Sequence, residues 1–188
     1  MSKIKLNAAS GGGSVSFEAP ASIGSDKVLK FSSTPGVIVQ VVQTIKTDVF
    51  TTNTEDSFLD ITGMSVNITP ASTSSKVLVS VNTNISNGSE VLHNFRLLRD
   101  STEIGSDTFG STINSFSMYD SEADDTSTRN RAIGYIVGEI LDSPSTTSQI
   151  TYKVQVRKNA AGNMHVNRRA LNTSAGLSST ITAYEVAG

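Results

Sequence analysis

Cysteine and tryptophan are both missing from the 188 residues, and histidine occurs only twice. Without cysteine there is no disulfide scaffold, no thiolate zinc centre and no cysteine nucleophile, and the redox compartment stays open. With only His93 and His165, a hydrolytic triad needs one of them beside a serine on a strained elbow. No Gly-x-Ser-x-Gly sequence supplies that elbow, so both histidines are read as ordinary polar or interface residues. A dominant charge is missing too. Fifteen Lys and Arg against 17 Asp and Glu give a net charge of -2, so no global field draws in nucleic acid or an anionic membrane. No apolar run approaches the ~20 residues of a membrane span. The opening Met1-Ser2-Lys3-Ile4-Lys5 has no apolar stretch behind it, so no export signal is expected.

What is abundant is the small hydroxyl: 29 Ser and 21 Thr. With that comes text of period two and no convincing period of 3.6. Lys76–Ile85 alternates Val77, Val79 and Val81 against Leu78, Ser80 and Asn82, and Ile150–Arg157 alternates strictly. Phe95–Arg99 and Thr102–Ile104 flank Asp100-Ser101, a hairpin signal. Ser57–Ile61 and Met64–Thr69 flank Gly63 and read as two pieces. Further strands are expected at Ala132–Leu141, Met164–Asn167 and Ser179–Val186. Val37–Thr47 begins apolar on both faces and ends polar on one, which predicts a strand buried at its start and half-exposed later. About eight strands with almost no helix predict an all-β fold, an antiparallel jelly-roll-like β-sandwich.

Residues 1–36 read differently. Gly11-Gly12-Gly13, Ala19-Pro20 and Thr34-Pro35-Gly36 punctuate short apolar pieces at Ile4–Leu6, Val15–Phe17 and Val28–Phe31. The segment cannot build its own core, so it is expected to be an extended docking arm that orders only against a partner surface. Residues 37–188 form the sandwich domain. The arm's docking residues are taken as Val15, Phe17, Val28, Leu29 and Phe31, because they are the apolar residues of a coreless segment.

The remaining motifs assign the chain no chemistry. The acidic run Asp120–Asp125 fails as an EF-hand loop, with Asp125 where Gly belongs and Arg131 where the final Glu belongs. Asp120 and Glu122 are read as parts of a solvated loop. The triple glycine leads into Ser14-Val15-Ser16-Phe17, strand text, and not into the Lys-Ser/Thr of a phosphate loop. Arg157-Lys158 and Arg168-Arg169 lack the interleaved aromatics of a nucleic-acid footprint and are read as ion pairs or interface. Seven Phe and four Tyr at mostly strand positions give no platform to hold a sugar between acids. The chain is therefore expected to be non-enzymatic, with no cofactor, no metal, and neither nucleic acid nor membrane as partner.

Two stretches together carry a resemblance. Ala8-Ala9-Ser10-Gly11-Gly12-Gly13-Ser14-Val15-Ser16-Phe17-Glu18-Ala19-Pro20 resembles the N-terminal segment of virion proteins of tailed bacteriophages. Asp60–Val79 followed by Phe95–Gly105 is similar to the β-sandwich tips of phage fibres and head-decoration proteins. Between them they cover about half the chain. The resemblance implies a homotrimer of jelly rolls on the virion surface, held by the arm to the major capsid protein or a tail protein of the same particle. Fibres of that kind carry a long shaft between arm and tip, whereas here Pro35-Gly36 meets the first strand directly. That favours capsid decoration (cement) or a short head fibre. The alternative is a receptor-binding tip that grips a host-surface glycan or protein through the 106–130 loops, with Phe109, Phe116 and Tyr119 as the contact residues.

Overall fold

The structure is a computed structural model describing residues 3–7, 14–18, 36–88, 92–105, 117–120, 132–171 and 176–188. The chain divides into two compact units, Met1–Ser33 and Thr34–Gly188.

In the first unit, β1 (Lys3–Asn7) and β2 (Ser14–Glu18) pair antiparallel, with register running from Lys3 opposite Glu18 to Asn7 opposite Ser14. Two of the three apolar pieces that the sequence leaves to a partner surface thus pair with each other. The third, Val28–Phe31, lies outside the described residues.

The second unit is an antiparallel, jelly-roll-like β-sandwich. Its strands are β3 (Ile38–Lys46), β4 (Phe50–Thr52), β5 (Leu59–Ile68), β6 (Lys76–Asn87), β7 (Leu92–Arg99), β8 (Thr102–Ile104), β9 (Ser117–Asp120), β10 (Gly134–Asp142), β11 (Ile150–Lys158), β12 (Met164–Val166) and β13 (Ser179–Val186). The first sheet is organised on β6, which has β10 along one edge and β13 then β12 along the other. β3 lies beyond β13 and β4 beyond β12. In the second sheet β11 sits between β5 and β7, and β8 and β9 share the far edge of β7.

Alternation places the core. From the first sheet Val77, Val79, Val81, Ile85, Ile136, Ile181 and Ala183 turn inward. From the second, Ile61, Met64, Val66, Phe95, Leu97, Tyr152, Val154 and Val156 meet them, all buried. Each such aliphatic burial stabilises the fold by about 1.5–3 kcal/mol. The expected hairpin forms on Asp100-Ser101, with Arg99 opposite Thr102 and Asp100 at φ 54°. Asparagine and aspartate tolerate that left-handed backbone because their short polar side chains bond locally.

Two local expectations are corrected. The pieces flanking Gly63 are one strand, β5, with Gly63 at φ 85°. The inward phase steps there from Ile61 to Met64, and the pairing with β11 shifts register between Lys153 and Gln155. A bulge of this kind lets an apolar phase skip a residue without ending the strand. β3 inverts its expected burial: Val37, Ile38, Val39, Gln40 and Val41 are all exposed, and the end of the strand, Lys46, is buried. The physical reason is position. Text that is apolar on both faces suits a strand covered on both, but among the described residues β3 pairs with β13 alone and stands at the sheet's edge.

Candidate interaction surface

The two outer faces of the sandwich differ in kind. On the second sheet, odd residues of β11 point outward and carry Lys153, Gln155 and Arg157. Their neighbours complete a bonded polar network. Lys153 Nζ lies 2.9 Å from Asp60 Oδ2, Gln155 Nε2 donates to Asp60 Oδ1 at 2.5 Å, and Arg96 Nε donates to Gln155 Oε1 at 2.7 Å. Arg96 also pairs with Glu103 at 3.4 Å and lies over the Phe58 ring at 3.9 Å from its centroid. Arg157 Nη2 donates to Asp56 Oδ1 at 2.5 Å. Partial burial pushes the Asp60 carboxyl up, but the bonds from Lys153 and Gln155 outweigh it and hold the group below the usual carboxylate range. This face suits water.

The outer face of the first sheet is built from residues that the register aligns in rows across β10, β6, β13 and β3. One row reads Leu141, Leu78, Tyr184, Val41. The next reads Glu139, Ser80, Thr182, Gln43, with Gln43 Nε2 donating to Thr182 Oγ1 at 2.8 Å. A third reads Val137, Asn82, Thr180, Ile45, followed by Tyr135 beside Asn84. On the other side of the apolar row, Lys76 and Val186 align with Ile38. Leu141, Val41, Ile45, Val137 and Tyr135 are 53%, 56%, 57%, 62% and 66% exposed, whereas Leu78 and Tyr184 at the centre are half-buried. Among these positions Lys76 and Glu139 are the only charged residues. Scattered exposed apolar residues are ordinary on a folded protein, but a contiguous apolar band across four strands marks an interaction surface.

None of the residues singled out from sequence belongs to these rows. Val15 and Phe17 lie in β2, in register with Leu6 and Ile4. Tyr119 lies in β9, opposite His93. Val28, Leu29, Phe31, Phe109 and Phe116 lie outside the described residues. Both histidines are buried, His93 in β7 and His165 in β12, and His165 Nδ1 is 2.9 Å from Thr51 Oγ1. Of the two basic pairs, Arg157 is ion-paired as described and Lys158 is buried, donating to the Ala160 carbonyl at 2.6 Å. Among the described residues no three His, Asp or Glu gather where they could hold a metal.

The row Leu141–Leu78–Tyr184–Val41 was missed in the sequence, although each strand carried a fragment of it. Leu78 breaks the polar phase of β6, and Tyr184 sits among Thr and Glu in β13. The fragments become a band only once four strands distant in sequence are set in register.

These observations define the class: an antiparallel β-sandwich with one charged, ion-paired outer face and one apolar, nearly uncharged one. No protein-family model matches the chain, and no curated protein matches it. Among solved structures the chain is similar to the T=1 particle derived from infectious bursal virus, at 10% identity and TM-score 0.40, covering 90% of this chain and 44% of that one. It is also similar to the infectious bursal disease virus Gx strain structure, at 13% identity and TM-score 0.39, covering 96% and 50%. For the VP2 subviral particle of the same virus the values are 12%, 0.38, 90% and 42%. The chain thus spans about half the length of these proteins or less. The fold assignment rests on the strand pairings themselves.

Proposed function

We propose that this protein is a non-enzymatic structural component of a tailed-phage particle, a homotrimer anchored to the virion surface through its N-terminal segment. The observation that carries the reading is the unlike pair of outer faces. A sandwich meant to stand alone in water has no use for an apolar band beside an ion-paired polar face. A particle component does, because assembly supplies the cover.

The sequence resemblance of Ala8–Pro20, Asp60–Val79 and Phe95–Gly105 to phage virion proteins supports the location. Gly36 donates to the Ala187 carbonyl at 2.8 Å and Ala187 to the Val37 carbonyl at 2.8 Å, so the β3–β13 ladder begins as soon as the N-terminal segment ends. That direct start of the ladder supports capsid decoration or a short head fibre over a long fibre. The receptor is the capsid or tail protein of the same virion. Three weakly binding arms joined in one trimer act together, so each contact can be modest while the assembly holds.

The test is cosedimentation of purified protein with particles of the encoding virus that lack it. Full-length protein is expected to pellet with particles, and protein without residues 1–33 to remain folded in the supernatant. Truncated protein that still pellets would refute the anchoring role. Binding to host cells in place of particles would favour the receptor-tip reading.

A further inference from the structure

We infer that the outer face of β10–β6–β13–β3 is the surface by which copies of this chain join, with the row Leu141, Leu78, Tyr184 and Val41 at its centre. The inference deepens the trimer reading above and rests on it. Three properties of the face select another copy as the occupant.

The first is size. Four strands about 4.8 Å apart and nine residues long at about 3.3 Å per residue span roughly 19 Å by 30 Å, or about 570 Å² in projection. Accessible area exceeds projected area, which brings the whole face to the scale of about 800 Å² that each partner contributes to a stable protein interface. A single extended peptide would cover one row and leave the others wet.

The second is charge. A surface that three copies bring together around one axis must not repel its counterparts. Among the described residues the face carries one cation, Lys76, and one anion, Glu139, which sum to zero. The opposite face, with Arg96, Lys153, Arg157, Asp60 and Glu103, has its charges already satisfied within the chain and offers a partner little.

The third is composition by row. Apolar rows (Leu141, Leu78, Tyr184 and Val41; Val137 and Ile45, with Tyr135 beyond) on either side of an amide and hydroxyl row (Ser80, Thr182, Gln43) have the composition of a protein interface: apolar and tyrosine-bearing, with charge depleted. A lipid surface would instead select basic residues around an apolar face, and here there is one lysine. The exposed start of β3, apolar on both sides at Val37–Val41, continues the band to the sheet edge and widens the area that a neighbour covers.

The absence of cysteine makes the test clean. Single thiols are introduced into the full-length chain as Val41→Cys on the apolar face and Ser65→Cys on the polar face, and their rates of modification by a maleimide are compared after reduction and anaerobic removal of the reductant. Light scattering on the same samples reads the mass. Val41→Cys is expected to react at least tenfold more slowly than Ser65→Cys in assembled protein. In a Val41→Cys/Leu141→Lys variant the mass is expected to fall threefold and the two rates to converge, with the far-UV spectrum unchanged because Leu141 is more than half exposed in the single chain. Equal rates in protein that is trimeric by mass would overturn the face assignment and leave the trimer standing. A wild-type mass of one chain would overturn both.

Discussion

The Tyr152 hydroxyl donates to Asp142 Oδ2 at 2.7 Å, joining β11 of one sheet to β10 of the other through the interior of the sandwich. Arg99, on β7, completes the link by donating to both carboxylate oxygens of Asp142, at 2.8 and 2.7 Å. Burial, with Asp142 beside it, holds the Tyr152 phenol well above its ordinary range, so the hydroxyl keeps its proton and remains a donor.

Removing that donor should loosen the clamp without breaking it. Tyr152→Phe is expected to lose about 1–2 kcal/mol in urea unfolding, because Asp142 keeps Arg99. Asp142→Ala should cost more than Tyr152→Phe, since it leaves a buried hydroxyl and a mostly buried guanidinium without their acceptor. An equal cost for the two variants would show that the clamp does not act as a unit.

Asn167 ties the other end of the fold. Its Nδ2 donates to the carbonyls of Lys46 and Asp48 at 2.8 and 3.1 Å, and its Oδ1 accepts from Ser179 Oγ at 2.6 Å. Ser179 Oγ in turn accepts from the Asn84 backbone amide at 3.1 Å, so one side chain holds the end of β3, the start of β13 and β6 in place. Its φ of 65° is one that asparagine adopts more readily than most residues. Asn167→Ala should destabilise by about 2–4 kcal/mol, combining unsatisfied polar groups with a strained backbone. Asn167→Gly should recover the backbone part only, and chemical denaturation of both variants separates the two contributions.

Stability should fall with pH in two separate windows. Burial, and secondarily Arg168, lowers the His165 pKa below its ordinary value, so the folded state holds a neutral imidazole. The unfolded chain binds a proton that the folded one does not once pH drops below about 6.5, and stability is lost from there downward. Asp48 and Asp60 act lower down. Asp48 is held below the usual range by its bond to Lys46, and Asp60 by Lys153 and Gln155 despite burial. Their contribution is present above the ordinary aspartate pKa of about 3.9 and is lost as pH falls through the lowered folded values. Thermal midpoints followed from pH 8 to 3 should show both declines, and His165→Gln should flatten the first alone.

Much of the sandwich was legible along the chain. β6 and β11 announce themselves by strict alternation, since each has one face in the core and one outside, and Asp100-Ser101 marks its own hairpin because turn chemistry is local. The bulge at Gly63 was less legible: a glycine between two apolar stretches reads as a break, and only the pairing with β11 shows the strand continuing through it. β3 was misread for a more informative reason. Its text is that of a covered strand, and within the described residues it is uncovered; the proposed second copy is what would cover it. The apolar face was legible only in fragments, because rows across a sheet depend on register between residues as far apart as Val41 and Tyr184.

Light scattering on the full-length protein after size exclusion tests the central claim most directly, because the whole account turns on assembly. A mass of three times 19.8 kDa, about 59 kDa, is the result expected of a trimeric virion component. A single species at 19.8 kDa across the accessible concentration range would contradict it, leaving the sandwich intact and its apolar face without the partner proposed for it.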